Sequence, residues 1–126
     1  MSRSDITAKT RDVVWIRDEG RCVGCGLYLT REMWHSIQHR LRRQVGGNGL
    51  ANLILMCGSA TSDGCHRKAE DRLWSTERLG YWIKANTKPV IDPQTVPVFY
   101  AYENAWYLLD DTGVRVICDA PKAAVT

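Results

Sequence analysis

The spacing of apolar residues along this chain changes from a helical period to the shorter period of strands. Over residues 6–18 the period is helical, and one face of that helix would carry Ile6, Thr10, Val13, Val14 and Arg17. Gly20 suits the left-handed end of a helix. We therefore predict an N-terminal helix that stops at this glycine.

Two short apolar segments follow, over residues 34–41 and 50–56. A glycine-rich turn at residues 46–49 separates them. Strand-like segments divided by such a turn predict a β-hairpin with a broad loop.

The second half of the chain is predicted to hold two helices, a linker and a small sheet. The helices cover residues 66–73 and, from a cap at Ser75 or Thr76, residues up to about Ala85. The linker covers residues 88–97. An antiparallel meander is predicted from strands over residues 98–102, 105–109 and 114–118.

Composition and charge indicate which partners and which cellular compartment to expect for the protein. The net charge is +3, but residues 1–72 carry 12 lysines and arginines against 8 acidic residues, so this part is the better candidate for binding nucleic acid. We find no signal peptide and no segment apolar enough to span a membrane. We therefore expect a cytoplasmic protein with no membrane partner.

Four of the five cysteines fall in two pairs, Cys22 with Cys25 and Cys57 with Cys65. Without export, a disulfide framework is not expected. Four thiolates suit a structural Zn²⁺ ion, and the Gly/Ser-rich insert at residues 58–64 can loop out to bring the second pair together. The alternatives are a redox Cys-x-x-Cys motif, which normally opens a helix, and buried free thiols.

An ordered set of motifs lies between and beside these cysteines. It consists of Ser36-Ile37-Gln38-His39-Arg40, Gly46-Gly47, the run from Asn52 to Gly58, and Gly64-Cys65-His66. Over roughly residues 11–72 this set resembles the HNH endonucleases. The resemblance is closest to the small phage and prophage members that have a four-cysteine zinc site.

The resemblance implies a fold and three roles. The fold is a ββα-metal finger, so we predict an α+β protein. A nuclease domain with the zinc site would cover residues 1–88, and a β-rich extension would cover 89–126. By position, His39 would be the general base, Asn52 would fix the geometry around it, and His66 would bind a catalytic divalent ion (Mg²⁺, Mn²⁺, Ni²⁺ or Zn²⁺).

One residue departs from the family pattern. In many members the residue before the basic histidine is an acidic or histidine ligand of the ion, and here it is Gln38. We keep Gln38 as a predicted ligand and add Glu70, one helical turn after His66; the alternative for Glu70 is a solvated surface residue. His35 shares a strand face with His39, and we expect a surface or structural role for it, with a contribution to binding the metal or the DNA as the alternative.

Basic residues cluster near both histidines. Guanidinium groups bind two phosphate oxygens at once, so these residues are predicted to contact the DNA backbone, with a solvated charged surface as the alternative. The predicted contacts are Arg40, Arg42, Arg43, Arg67 and Lys68.

The leading hypothesis is a metal-dependent DNA endonuclease that leaves 5′-phosphate and 3′-hydroxyl ends. If the chain is phage-encoded, it would act in the host cell cytoplasm. Small phage relatives are associated with genome packaging, so the resemblance implies terminase subunits as partners. The rival hypothesis is a non-catalytic zinc module that binds DNA or a terminase-like protein, and a third is an interaction protein built around the C-terminal meander.

Overall fold

The computed structural model describes residues 5–58, 64–66 and 78–121, which form an α+β fold. Its main helix, α1, spans Ala8–Arg17, close to the predicted range. The Thr7 side chain caps α1 by accepting a hydrogen bond from the backbone N–H of Thr10. The backbone then turns sharply at Gly20, with a φ of +63°.

The predicted hairpin is confirmed. Strand β1 (His35–His39) pairs antiparallel with strand β2 (Leu53–Cys57), and His35 lies directly opposite Cys57. The connecting loop holds a short helix, α2 (Arg43–Gly46), and a 3-10 turn at Leu50–Asn52. This loop is therefore largely ordered by local hydrogen bonds.

The predicted three-stranded meander is also confirmed. Its strands are β3 (Val98–Tyr100), β4 (Ala105–Leu109) and β5 (Arg115–Cys118), with β4 in the centre. Its buried residues join one core with α1 and β2. That core includes Val14, Leu53, Ile54, Leu55, Met56, Val98, Tyr100 and Leu109.

The prediction of a helix up to Ala85 is wrong for the residues that the structure describes. Residues 78–85 form turns and a single parallel bridge between Ile83 and Leu41. Gly80 has a φ of +82°, and a Cβ there would lie 2.1 Å from the carbonyl oxygen of Pro97. Local sequence fits a helix, but the left-handed φ of Gly80 and the bridge between Ile83 and Leu41 are incompatible with a right-handed helix here.

Part of the predicted finger lies outside the described residues. Cys65 and His66 are helical, as expected for the start of the helix over 66–73. The rest of that helix is not described, so the ββα-metal finger stays a prediction. In the described parts of the chain, none of the helices has the length and apolar surface needed to cross a lipid bilayer.

A buried ion pair joins the end of α1 to the hairpin. The Arg17 guanidinium donates to both carboxylate oxygens of Asp18, at 2.9 and 3.0 Å. Asp18 also accepts hydrogen bonds from the Leu55 N–H (3.0 Å) and the Tyr100 hydroxyl (2.6 Å). Burial alone would lower the pKa of Arg17, but the Asp18 carboxylate outweighs it and raises that pKa. The network thus links α1, β2 and β3.

Replacing Tyr100 by phenylalanine is expected to lower the free energy of unfolding by about 1.5–3 kcal/mol, because a buried carboxylate loses a hydrogen bond. Urea denaturation measures this. The matched control is Tyr107→Phe, whose hydroxyl donates to Glu103 at an exposed site, and which should change stability by about 0.5 kcal/mol or less. Equal losses in the two variants would contradict a special role for the buried network.

Candidate functional site

The four paired cysteines come together in one cluster. Cys22 and Cys25 lie on a tight turn that is held to β2 by a 2.9 Å hydrogen bond from Val23 N–H to the Leu55 carbonyl. The four sulfur atoms, of Cys22, Cys25, Cys57 and Cys65, all lie within 4.8 Å of one another.

The spacing of the sulfurs fits a tetrahedral ion. Cys25 Sγ lies 3.8 Å from Cys57 Sγ. A tetrahedron with metal–sulfur bonds of about 2.3 Å has edges of about 3.8 Å. The four cysteines are therefore positioned to bind a metal ion, as predicted. The fifth cysteine, Cys118, lies on β5 outside the cluster.

The thiols of the cluster perturb one another. Hydrogen bonds from Cys22 and Cys65 lower the pKa of Cys57, which favours a thiolate there. The pKa of Cys22 is raised, first by its hydrogen bond to Cys57, and that of Cys65 is raised, first by its hydrogen bond with Cys22. Because a metal ion binds thiolates, an ion that enters the cluster would displace protons from its thiols.

All three histidines of the chain line one cleft of about 510 Å³. His35 and His39 reach it from β1, and His66 reaches it from the start of the helix after Cys65. The basic residues Arg11 and Arg43 also line it. The structure thus places the predicted base and the predicted ion ligand in the same solvent-filled space.

His39 is oriented by a residue that sequence analysis did not single out. Its Nε2 lies 2.7 Å from the Asn48 side-chain oxygen, which can only accept, so the proton of a neutral ring is on Nε2. The lone pair is then on Nδ1. Because Asn48 belongs to a glycine-rich turn, its sequence context indicated only the turn.

Asn52 acts on the loop that carries Asn48. Its side chain accepts from the Leu41 N–H (2.8 Å) and donates to the carbonyls of Leu41 (2.7 Å) and Gly47 (2.9 Å). These bonds tie the beginning of the loop to its end. Asn52 therefore supports the loop from which Asn48 reaches His39, and its described bonds go to the backbone.

Gln38 lies in a different cavity from His66. It is 1% exposed, and its amide nitrogen donates to the His39 carbonyl at 3.0 Å. Its side-chain oxygen has no hydrogen-bond partner among the described residues. Gln38 lines a smaller cavity of about 220 Å³ together with His39, Arg42 and Arg43. Two of the three predicted ion ligands, Gln38 and His66, thus line separate cavities, which share His39 and Arg43.

His35 is more than a surface residue, because it lines the cleft. Its Nδ1 donates a 2.7 Å hydrogen bond to the Met33 carbonyl. Its ring meets the Trp15 ring edge-on, with centroids 5.3 Å apart. Its even spacing from His39 was the signal in the sequence that both would share a face.

The structure corrects the prediction that Arg40 contacts DNA. Arg40 is 0% exposed, and its guanidinium donates to the carbonyls of Gly80, Ala51, Pro93 and Val96. Burial lowers the pKa of Arg40. Hydrogen bonds to carbonyl oxygens favour its charged form. Arg40 directly follows β1, and the segments that carry Gly80, Pro93 and Val96 enclose its guanidinium.

The other predicted DNA contacts divide into two groups. Arg42 and Arg43 are exposed and line the smaller cavity, and Arg43 also lines the cleft. Arg67, Lys68 and the proposed ligand Glu70 lie outside the described residues. Sequence analysis missed two charged residues of the cleft, Asp5 and Arg11, because nothing in their local pattern distinguishes them from solvated positions.

Among the described residues, the cysteine cluster is the one group of three or more metal-binding side chains that is already assembled. The candidate site therefore has two adjoining parts, a metal-binding cluster and a histidine-lined cleft. Comparison of the chain with protein-family models, curated proteins and solved structures finds no match.

Proposed function

We propose that this chain is a metal-dependent DNA endonuclease whose active site is the histidine-lined cleft. The observation that supports this most is the presence of His39, His66 and Arg43 in one cleft. These three supply a base, an imidazole ligand for a divalent ion and a phosphate-binding cation. The HNH-like order of the same residues in the sequence points to the same chemistry.

In the proposed reaction, His39 Nδ1 removes a proton from a water molecule near neutral pH. The water oxygen bonds to phosphorus, the bond from phosphorus to the 3′ oxygen breaks, and that oxygen takes up a proton. The hydrogen bond to Asn48 holds the ring so that Nδ1 carries the lone pair. The chemistry that a divalent ion supplies in such a site is neutralisation of charge on the phosphate and on the leaving oxygen.

We further propose that the ion in the cysteine cluster is a structural Zn²⁺. The four sulfurs and their tetrahedral spacing support this choice, since closed four-thiolate sites are typical of structural zinc. Its place next to the cleft is the reason that it matters for function. Cys65 directly precedes His66, and Cys57 is paired with His35.

DNA is the proposed substrate because exposed cations surround the cleft. Arg11, Arg42 and Arg43 can contact phosphates without reading bases, so binding should weaken strongly with added salt. A terminase partner and a role in phage genome packaging rest on the family resemblance alone.

Substitution of His39 by alanine is expected to reduce DNA cleavage roughly 100-fold or more, because the general base is lost. Nicking of supercoiled plasmid by zinc-loaded protein, with Mg²⁺, Mn²⁺ or Ni²⁺ added, measures this. Lys88→Ala is the control, since Lys88 is exposed and lies outside both cavities.

Equal background cleavage by wild type and His39→Ala under every metal would refute the nuclease proposal. If that protein still binds DNA and retains its zinc, the rival hypothesis of a non-catalytic zinc module takes its place. That hypothesis has some support in the position of Gln38, which lies apart from His66.

A further inference from the structure

We propose that His35, through Nε2, is a ligand of the catalytic divalent ion together with His66. This rests on the proposed function, because it assigns a further residue to the same cleft. In this proposal His35 takes the place of Gln38 as the second ligand of the ion. The two residues lie on opposite faces of β1.

The hydrogen bond at Nδ1 prepares His35 for this role. Because the Met33 carbonyl can only accept, the 2.7 Å contact places the ring proton on Nδ1 and leaves the lone pair on Nε2. Histidines that bind metals are commonly held this way, with the second ring nitrogen donating to a backbone carbonyl. The edge-on contact with Trp15 fixes the plane of the same ring.

His35 and His66 are each next to a cysteine of the cluster, and both line the cleft. His35 lies opposite Cys57 in the hairpin, and His66 directly follows Cys65. Cys65 N–H in turn contacts Cys57 Sγ at 3.4 Å. Both histidines therefore flank the same cysteine, whereas His39 is four residues further along β1, about 13 Å away between Cα atoms. We therefore assign the part of the cleft beside the cluster as its ion-binding end and the part beside His39 as its base end.

Two imidazoles also determine which ions suit the site. Imidazole favours Ni²⁺, Zn²⁺ and similar ions, while Mg²⁺ prefers oxygen ligands. The other positions around the ion would be left for water and for phosphate oxygens of the substrate. We therefore expect Ni²⁺ to support cleavage better than Mg²⁺ does.

The test is calorimetric titration of the zinc-loaded full chain with Ni²⁺, with released zinc monitored. His35→Phe keeps a ring against Trp15 but has no nitrogen, and should weaken Ni²⁺ binding by about tenfold or more. His39→Phe, at the base end, should stay within about twofold of wild type. His35→Glu should shift the preference from Ni²⁺ towards Mn²⁺, because a carboxylate replaces an imidazole.

A second measurement, by NMR, uses the wild-type chain and so does not depend on the stability of a variant. The chain has three histidines, so their ring proton signals can be assigned in NMR spectra. Added Mn²⁺ should broaden the His35 and His66 signals before that of His39. Wild-type Ni²⁺ affinity in His35→Phe, or a His35 signal that stays sharp while that of His66 broadens, would overturn the proposal.

These outcomes separate the ion site from the nuclease function. If wild type binds Ni²⁺ through His35 but does not nick plasmid, the ion site stands and the nuclease function fails. If His35→Phe nicks plasmid and binds Ni²⁺ like wild type, the nuclease function stands and the His35 proposal fails.

Discussion

Replacing Cys57 by serine is expected to lower the free energy of unfolding by more than about 4 kcal/mol, because the metal site is lost. Cys57 ends β2, and its sulfur lies beside those of Cys22, Cys25 and Cys65. An ion bound by the four cysteines would tie the turn at Cys22 and the segment at Cys65 to the hairpin. Without it, these connections depend on a few hydrogen bonds and on core packing of residues such as Val23.

Thermal unfolding and zinc content measured on the same samples test this expectation. The chain offers a matched control in Cys118→Ser, since Cys118 lies outside the cluster and should leave both quantities unchanged. Chelation of wild-type zinc should bring its Tm close to that of Cys57→Ser. A Cys57→Ser protein that keeps wild-type Tm and about one zinc per chain would contradict the four-cysteine site.

Loss of the metal site should also disrupt the histidine-lined cleft. His35 is paired with Cys57, and His66 follows Cys65, so both histidines depend on the geometry of the cluster. We therefore expect chelation to abolish plasmid nicking together with the fold. Each cysteine thiol must lose its proton to bind zinc. The stabilisation of the fold by zinc should therefore decrease as the pH is lowered.

The elements that the sequence predicted correctly are those specified by local patterns. The hairpin follows from two apolar runs separated by glycines, and its register then puts His35 and His39 on one face. The cysteine cluster follows from two pairs whose thiols share one chemistry. In both cases the information lies within a few residues of the element itself.

The predictions that failed depend on contacts between distant segments. A helix up to Ala85 satisfies local propensity, but Gly80 packs against the carbonyl of Pro97. Asn48 occupies a turn sequence, and only the folded loop brings it to His39. A charged side chain such as Arg40 is normally exposed, so its burial could not be foreseen from its neighbours.

Arg40→Met is expected to lower the free energy of unfolding by about 4 kcal/mol or more, because several buried carbonyls lose a charged donor at once. The guanidinium spans acceptors on three separate segments. The distances are 2.8 Å to Gly80, 2.7 Å to Ala51 and 3.1 Å to Pro93. Arg40 forms no ion pair with a carboxylate in the described parts of the chain, so its hydrogen bonds there go to backbone carbonyls.

Two further variants separate this structural role from DNA binding. Arg40→Lys keeps the positive charge. A single ammonium group, however, cannot reach all the carbonyls that the planar guanidinium reaches with its separate nitrogens. We therefore expect a loss of stability close to that of Arg40→Met. Arg42→Met removes an exposed neighbour and should change stability by about 0.5 kcal/mol or less while weakening DNA binding at low salt. If Arg40→Met instead kept wild-type stability and reduced the salt dependence of DNA binding, Arg40 would be a phosphate contact. The hydrogen bonds of Arg40 to buried carbonyls would then not explain its role.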